Sequence, residues 1–235
     1  MKSSHHTQRR SHSTAIFCTL FAALSFTTPS SPAQSTTYFS NLSQTPVGSL
    51  AIGINSWCAE EFFTGTNSGG YLLDSIQLRL GTPTGTPSGF SLAIYDRNPP
   101  GGFVSPGSLL QNLTGPAPSG SGVFTFQSLG LILNPSKLYF VVATAATPIS
   151  SGSYGWEISP WLQPPPGNLY WFPGSSLYQS TDGLTWTGTR PNNFMFAINA
   201  TAVPEPSSLF LLGIGGSFLF TRLARKSRSK ALRQP

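Results

Sequence analysis

The chain of 235 residues is long enough for one domain with its own core, and it carries a formal net charge of +6. That excess lies at the ends: residues 1–33 hold Lys2, Arg9 and Arg10 and no acid, and residues 204–235 hold six basic side chains against Glu205. The body from Gln34 to Val203 has four basic residues against six acids, net −2, so it offers no basic stripe for neutralising phosphates and nucleic-acid binding is set aside.

Residues 1–14 are polar and basic, and Ala15 to Phe26 is an apolar run of 12 residues. Ser31-Pro32-Ala33 then puts small residues at the −3 and −1 positions before Gln34. Basic start, apolar middle and small-residue exit are the order of a secretory signal peptide, so residues 1–33 are expected to be removed between Ala33 and Gln34. The general secretion machinery is the partner this implies. His5, His6, His12 and Cys18 all lie in that segment, and the processed chain keeps only Cys58. A single cysteine cannot close an internal disulfide; Cys58 is either buried or paired with another chain.

Residues 34–54 read as a lead-in and residues 55–201 as an all-β domain, a β-sandwich of jelly-roll type. In Tyr71–Leu80 the residues Ile76, Leu78 and Leu80 face one way and Gln77 and Arg79 the other. Phe90–Tyr95 and Val123–Phe126 repeat that period of two. Leu138–Ala143 is a continuous apolar run, expected of a strand buried on both faces. Asn98-Pro99-Pro100-Gly101-Gly102 and Asp182-Gly183 are turn signals, the second within a hairpin. Asn193–Ala200 alternates again, with Phe194, Phe196 and Ile198 on one side.

Without body histidines, Ser-His-Asp and Cys-His catalysis and His-ligated zinc are excluded after processing, and no cofactor or metal is implied. Glu60 and Glu61 are the adjacent carboxylates that a glycoside hydrolase would need. Neighbours on a strand point to opposite faces, so that pair is not expected to flank one bond. Lys137 reads as a turn residue rather than half of a Ser-Lys dyad. Asp74, Asp96 and Asp182 offer oxygen ligands for calcium without an Asp-x-Asp-x-Asp-Gly run. The segment from Trp161 to Trp171, stiffened by Pro164-Pro165-Pro166, carries Trp161, Tyr170 and Trp171 as a candidate carbohydrate platform; the other reading is that these rings cap the core.

The segments Glu61-Phe62-Phe63-Thr64-Gly65, Gly70–Ile76, Ser91–Asp96, Pro106–Leu110, Leu133–Tyr139 and Tyr154-Gly155-Trp156, taken in order, resemble the choice-of-anchor R domain of bacterial surface proteins. That resemblance implies a β-sandwich surface domain with no established catalytic role.

The C-terminal segment is ordered by function. Pro204-Glu205-Pro206 comes first, held extended by its prolines. Leu209 to Thr221 follows as an apolar run of 13 residues, and then Arg222, Arg225 and Lys226. Thirteen helical residues rise about 20 Å, short of a hydrocarbon core of about 30 Å, so the helix would hold the membrane temporarily and the basic residues would stop it on the cytoplasmic side. Residues 202–228 resemble the PEP-CTERM sorting signal of Gram-negative bacteria, with residues 229–235 as a basic cytoplasmic end. The resemblance implies recognition and cleavage by an exosortase; a plain single-span anchor is the alternative. The expected protein is therefore exported, held transiently in the inner membrane, then placed at the cell surface or in the matrix without enzymatic activity. A module binding exopolysaccharide and, behind it, a glycoside hydrolase are the alternatives.

Overall fold

Where apolar and polar side chains alternate, an extended backbone can bury one face and hydrate the other, and this period governs the chain. The computed structural model describes residues 34–98, 104–160, 171–189 and 192–204. These segments contain strands and no helix. In order the strands are β1 (Thr36–Ser40), β2 (Gly48–Ile52), β3 (Trp57–Phe63), β4 (Tyr71–Leu80), β5 (Thr84–Gly85), β6 (Ser91–Arg97), β7 (Pro106–Leu113) and β8 (Gly122–Gln127). Then come β9 (Ile132–Leu133), β10 (Leu138–Thr144), β11 (Gly152–Pro160), β12 (Phe172–Ser180), β13 (Thr187–Thr189), β14 (Asn192–Phe194) and β15 (Phe196–Ala202).

They form two antiparallel sheets. One has the order β1-β15-β4-β11-β14, with β8 and β9 also on β4 and β2 and β5 also on β11; the other runs β13-β12-β3-β10-β6-β7. Leu73, Ile76, Leu78, Leu80, Trp156, Phe196 and Ile198 of the first sheet and Cys58, Phe62, Leu92, Ile94, Tyr139 and Val141 of the second belong to one apolar cluster. In β4, Ile76, Leu78 and Leu80 are at most 1% exposed while Gln77 and Arg79 are half-buried, as their alternation requires. Each large apolar side chain enclosed this way contributes about 1.5–3 kcal/mol.

Strand β10 is buried along its apolar run because both of its faces are covered. Tyr139, Val141 and Ala143 enter the shared core. Leu138, Phe140 and Val142 join Ala59, Tyr178 and Trp186 in a second cluster on the outer face of the six-stranded sheet. A strand with no wet face has no reason to alternate.

Two boundaries differ from expectation. Residues 34–54 are part of the sheet: Thr36 pairs with Ala200 on β15, and Leu50 pairs with Trp156 on β11. The strand expected over Asn193–Ala200 is broken at Met195, where the chain steps from a pairing with β11 to one with β4. Asn41 explains both. Its amide nitrogen donates to Phe194 O at 2.8 Å, and its Oδ1 accepts from Phe196 N at 2.7 Å. A buried side chain from the lead-in thus satisfies backbone groups that the break leaves without ladder partners.

Candidate functional site

Three places in the described residues gather chemistry. The first is the pair Glu60 and Glu61 on β3, both buried. Glu60 turns into the interior, accepting from Asn193 Nδ2 at 2.6 Å and from Phe194 N at 3.1 Å. Burial raises its carboxyl well above the usual range, against the lowering effect of those two bonds. Glu61 lies on the other face and accepts from the Tyr178 hydroxyl at 3.2 Å. Burial first, and then the charge of Glu61, hold the Tyr178 hydroxyl well above its ordinary value. Opposite Glu61, β12 carries extra residues, because Pro173 pairs with Phe62 and Leu177 with Glu60. Gly174 makes room there: a Cβ on it would overlap the Glu61 side chain at Cγ, Cδ and Oε1.

The second is a cleft of about 520 Å³ where β3, β6, β7 and β10 meet, with Phe63, Arg97, Asn98, Ser108, Ser136 and Lys137 on its walls. Phe63 stacks on Phe172 with centroids 4.5 Å apart. Lys137 Nζ pairs with Asp96 Oδ2 at 3.1 Å and stands 5.4 Å from the Tyr139 ring centroid. Lys137 is thus an ion-paired residue after a turn, as its sequence context suggests. Arg97 is exposed and has no ion pair among the described residues.

The third is the exit of the chain. Strand β15 lies between β1 and β4, and directly after it Val203 N donates to Gly70 O at 3.0 Å while Asn67 Nδ2 donates to Val203 O at 2.9 Å. Pro204 is exposed just beyond this clamp.

The expected site residues distribute as follows. Gln34 is exposed, two residues before β1. Ala33, Glu205, Pro206, Arg222, Arg225 and Lys226 lie outside the described residues, as do the signal peptide, the membrane helix and the turn at Pro99–Gly102. Trp161 and Tyr170 also lie outside. Trp171, read from the sequence as either a platform ring or a cap on the core, is 4% exposed and belongs to the core. It stacks on Tyr38 at 4.7 Å and on Phe62 at 6.2 Å, and meets the edge of Tyr71 at 4.9 Å. A ring enclosed by three others has no face left for a sugar. The physical reason is position: Trp171 precedes β12 directly and shares the inward side with Phe62.

The three aspartates considered for calcium sit apart. Asp74 accepts from Thr201, Asp96 from Lys137, and Asp182 from the N–H groups of Leu184 and Thr185. Among the described residues no three of His, Cys, Asp and Glu gather around a point that could hold a metal ion. Phe63, Arg97, Asn98, Ser108 and Ser136 were not legible as a set. They come from four separate segments, and only the turn signals beginning at Asn98 and at Asn134-Pro135-Ser136 marked any of them locally.

Two antiparallel sheets around a shared core, with an exposed chain exit at the end of a central strand, define a β-sheet domain joined directly to a C-terminal tail. That tail, residues 202–228, matches the model of the PEP-CTERM protein-sorting motif. A motif of this kind implies export, surface or extracellular targeting, and an exosortase as processing partner. No curated protein matches the chain. Among solved structures it is similar to a variant of the clostridial cysteine protease Cwp84 after propeptide cleavage, at 15% identity and a TM-score of 0.49, over 72% of this chain and 40% of that one. It is also similar to the cysteine protease and lectin-like domains of Cwp84, a surface layer associated protein of Clostridium difficile, at 16% identity and a TM-score of 0.44, over 63% of this chain and 32% of that one. The chain thus matches well under half the length of either protein.

Proposed function

We propose that this is a non-enzymatic surface or extracellular-matrix protein of a Gram-negative bacterium, secreted through the general route and cleaved by an exosortase at its tail. In this reading residues 1–33 are the signal peptide, 34–201 the displayed sandwich domain, with 55–201 of choice-of-anchor R type, and Pro204-Glu205-Pro206 the recognition segment. Leu209–Thr221 holds the inner membrane until cleavage, with Arg222, Arg225 and Lys226 on its cytoplasmic side.

The observation that carries the proposal is the sorting motif at residues 202–228, beginning where β15 ends. The clamp of Val203 by Gly70 and Asn67 supports it. A cut beyond Pro204 would release the tail without removing any residue from the ladder between β15 and β4. The non-enzymatic reading is supported by the two carboxylates of β3. Each is buried and engaged on a different face, so they do not form the facing pair that glycoside hydrolysis uses.

The test is the intact mass and cell-fraction location of the protein from its native host, with and without the basic tail, residues 222–235. The expected mature chain starts at Gln34 and ends near Pro204–Pro206, and removal of the tail abolishes that processing. A full tail retained in the inner membrane of the unaltered strain would overturn the sorting reading in favour of a plain anchor.

A further inference from the structure

We infer that the cleft between β3, β6, β7 and β10 is a binding site for an anionic polysaccharide, with Arg97 meeting the carboxylate of a uronic acid and Phe63 packing against the sugar ring. This goes beyond the sorting proposal and does not depend on it.

Charge is the first argument. The body of the protein is net negative, with four basic residues against six acids. The cleft has the opposite sign. Arg97 and Lys137 face it with Asp96, and Asp96 is held by Lys137 at 3.1 Å, so the guanidinium is left unneutralised among the described residues. An unpaired planar guanidinium in a cleft is suited to a carboxylate, which it can grip with two parallel bonds. A positive cleft on a negative body also concentrates an anion at this place rather than over the whole surface.

Shape and lining are the second. Phe63 is half-buried and stiffened by its stack on Phe172, so it supplies a fixed apolar wall. Around it stand Asn98, Ser108 and Ser136, neutral groups able to donate to and accept from sugar hydroxyls. An aromatic wall, neutral hydrogen-bonding groups and one cation without an ion pair among the described residues together match the three surfaces of a uronic acid: ring face, hydroxyls and carboxylate.

Backbone strain is the third. Ser136 has φ = 53°, and it is the one non-glycine residue with positive φ among the described residues. It follows Pro135 in a turn, at a position where glycine is the usual choice and an L-residue costs about 1–2 kcal/mol. Its hydroxyl bonds to no described residue. Backbone conformation alone favours glycine at 136; a strained side chain lining a cleft is the kind of local cost that accompanies a ligand contact.

The experiment titrates the protein, purified as its host leaves it, with polygalacturonate and separately with dextran in low-salt buffer. Polygalacturonate is expected to bind, dextran to bind at least tenfold more weakly, and added salt to weaken the first interaction. Arg97→Gln should lower affinity for polygalacturonate roughly tenfold or more. Ser136→Gly should lower affinity while leaving Tm unchanged or higher, a combination that a purely structural role for the hydroxyl would not produce. No binding of polygalacturonate, equal binding of dextran, or full affinity in the Arg97→Gln variant would each overturn the proposal. None of these results depends on where the tail is cut, so the sorting reading stands or falls separately.

Discussion

Asn193 on β14 donates its amide to Glu60 on β3 at 2.6 Å, linking the two sheets through a hydrogen bond between residues 133 positions apart. The same nitrogen donates to Gly174 O on β12 at 2.9 Å, and Glu60 also receives Phe194 N at 3.1 Å. A fully buried carboxyl therefore serves as a polar pin within a largely apolar contact between the sheets. Removing it strands donors that water cannot reach. Glu60→Ala is expected to cost about 2–4 kcal/mol in urea denaturation, combining a cavity with the unpaired Phe194 N–H. A loss below about 0.5 kcal/mol would mean that the pin contributes nothing.

The same residue predicts a pH dependence. Because the folded carboxyl is raised, the native state binds a proton that the unfolded state has released, and stability falls as pH rises. Its contribution is complete below the unfolded value of about 4.3 and is lost as pH climbs through the raised folded value. The stability difference between wild type and Glu60→Ala should accordingly be largest near pH ~4 and shrink toward neutrality. A difference that grows with pH would contradict the buried, protonated assignment.

Gly174 is a matter of space. A Cβ there would overlap Glu61 Cγ, so Gly174→Ala must displace a buried side chain together with its bond to Tyr178. We expect a cost of about 2–3 kcal/mol. Gly120→Ala, where a Cβ meets nothing within 4 Å, should change stability by less than about 0.5 kcal/mol and is the matched control.

Cys58 is fully buried in the shared core, and burial pushes its thiol up to about 12. Labelling of the native protein by a thiol reagent at pH ~8 should be slower than that of the unfolded chain by roughly 100-fold or more. Fast labelling without denaturant would show an accessible thiol, the condition for a bridge to a second chain.

Asp182 shapes the turn between β12 and β13. Its Oδ1 accepts from Leu184 N and Thr185 N at 2.8 Å each, and the Thr185 bond, then that of Leu184 and the Ser180 hydroxyl, draw its carboxyl down to about 2. A lowered carboxyl stabilises the fold above its unfolded value of about 3.9, and that contribution disappears as pH falls through about 2. Asp182→Asn keeps an acceptor and removes the charge. Its acid unfolding curve should lack the part of the wild-type loss that falls between those two values.

What the sequence determined by itself is what local spacing can encode. The alternation of Ile76, Leu78 and Leu80 with Gln77 and Arg79 made a strand with one wet face, and the unbroken Leu138–Ala143 made one with none. Asp182-Gly183 made a hairpin turn, and the Pro-Glu-Pro, apolar and basic succession made a sorting tail. Each follows from covalent geometry and solvent contact within a few residues. Tertiary structure decided the remainder. It made residues 34–54 strands rather than a lead-in, because β15 and β11 offered ladders to β1 and β2 and Asn41 reached the break at Met195. It turned Trp171 inward against Tyr38 and Phe62, and it gathered Phe63, Arg97, Ser108 and Ser136 around one cleft. Contacts of that kind depend on which strands become neighbours in an antiparallel sheet. The period-two pattern says which face of a strand is dry, but not which distant strand will cover it.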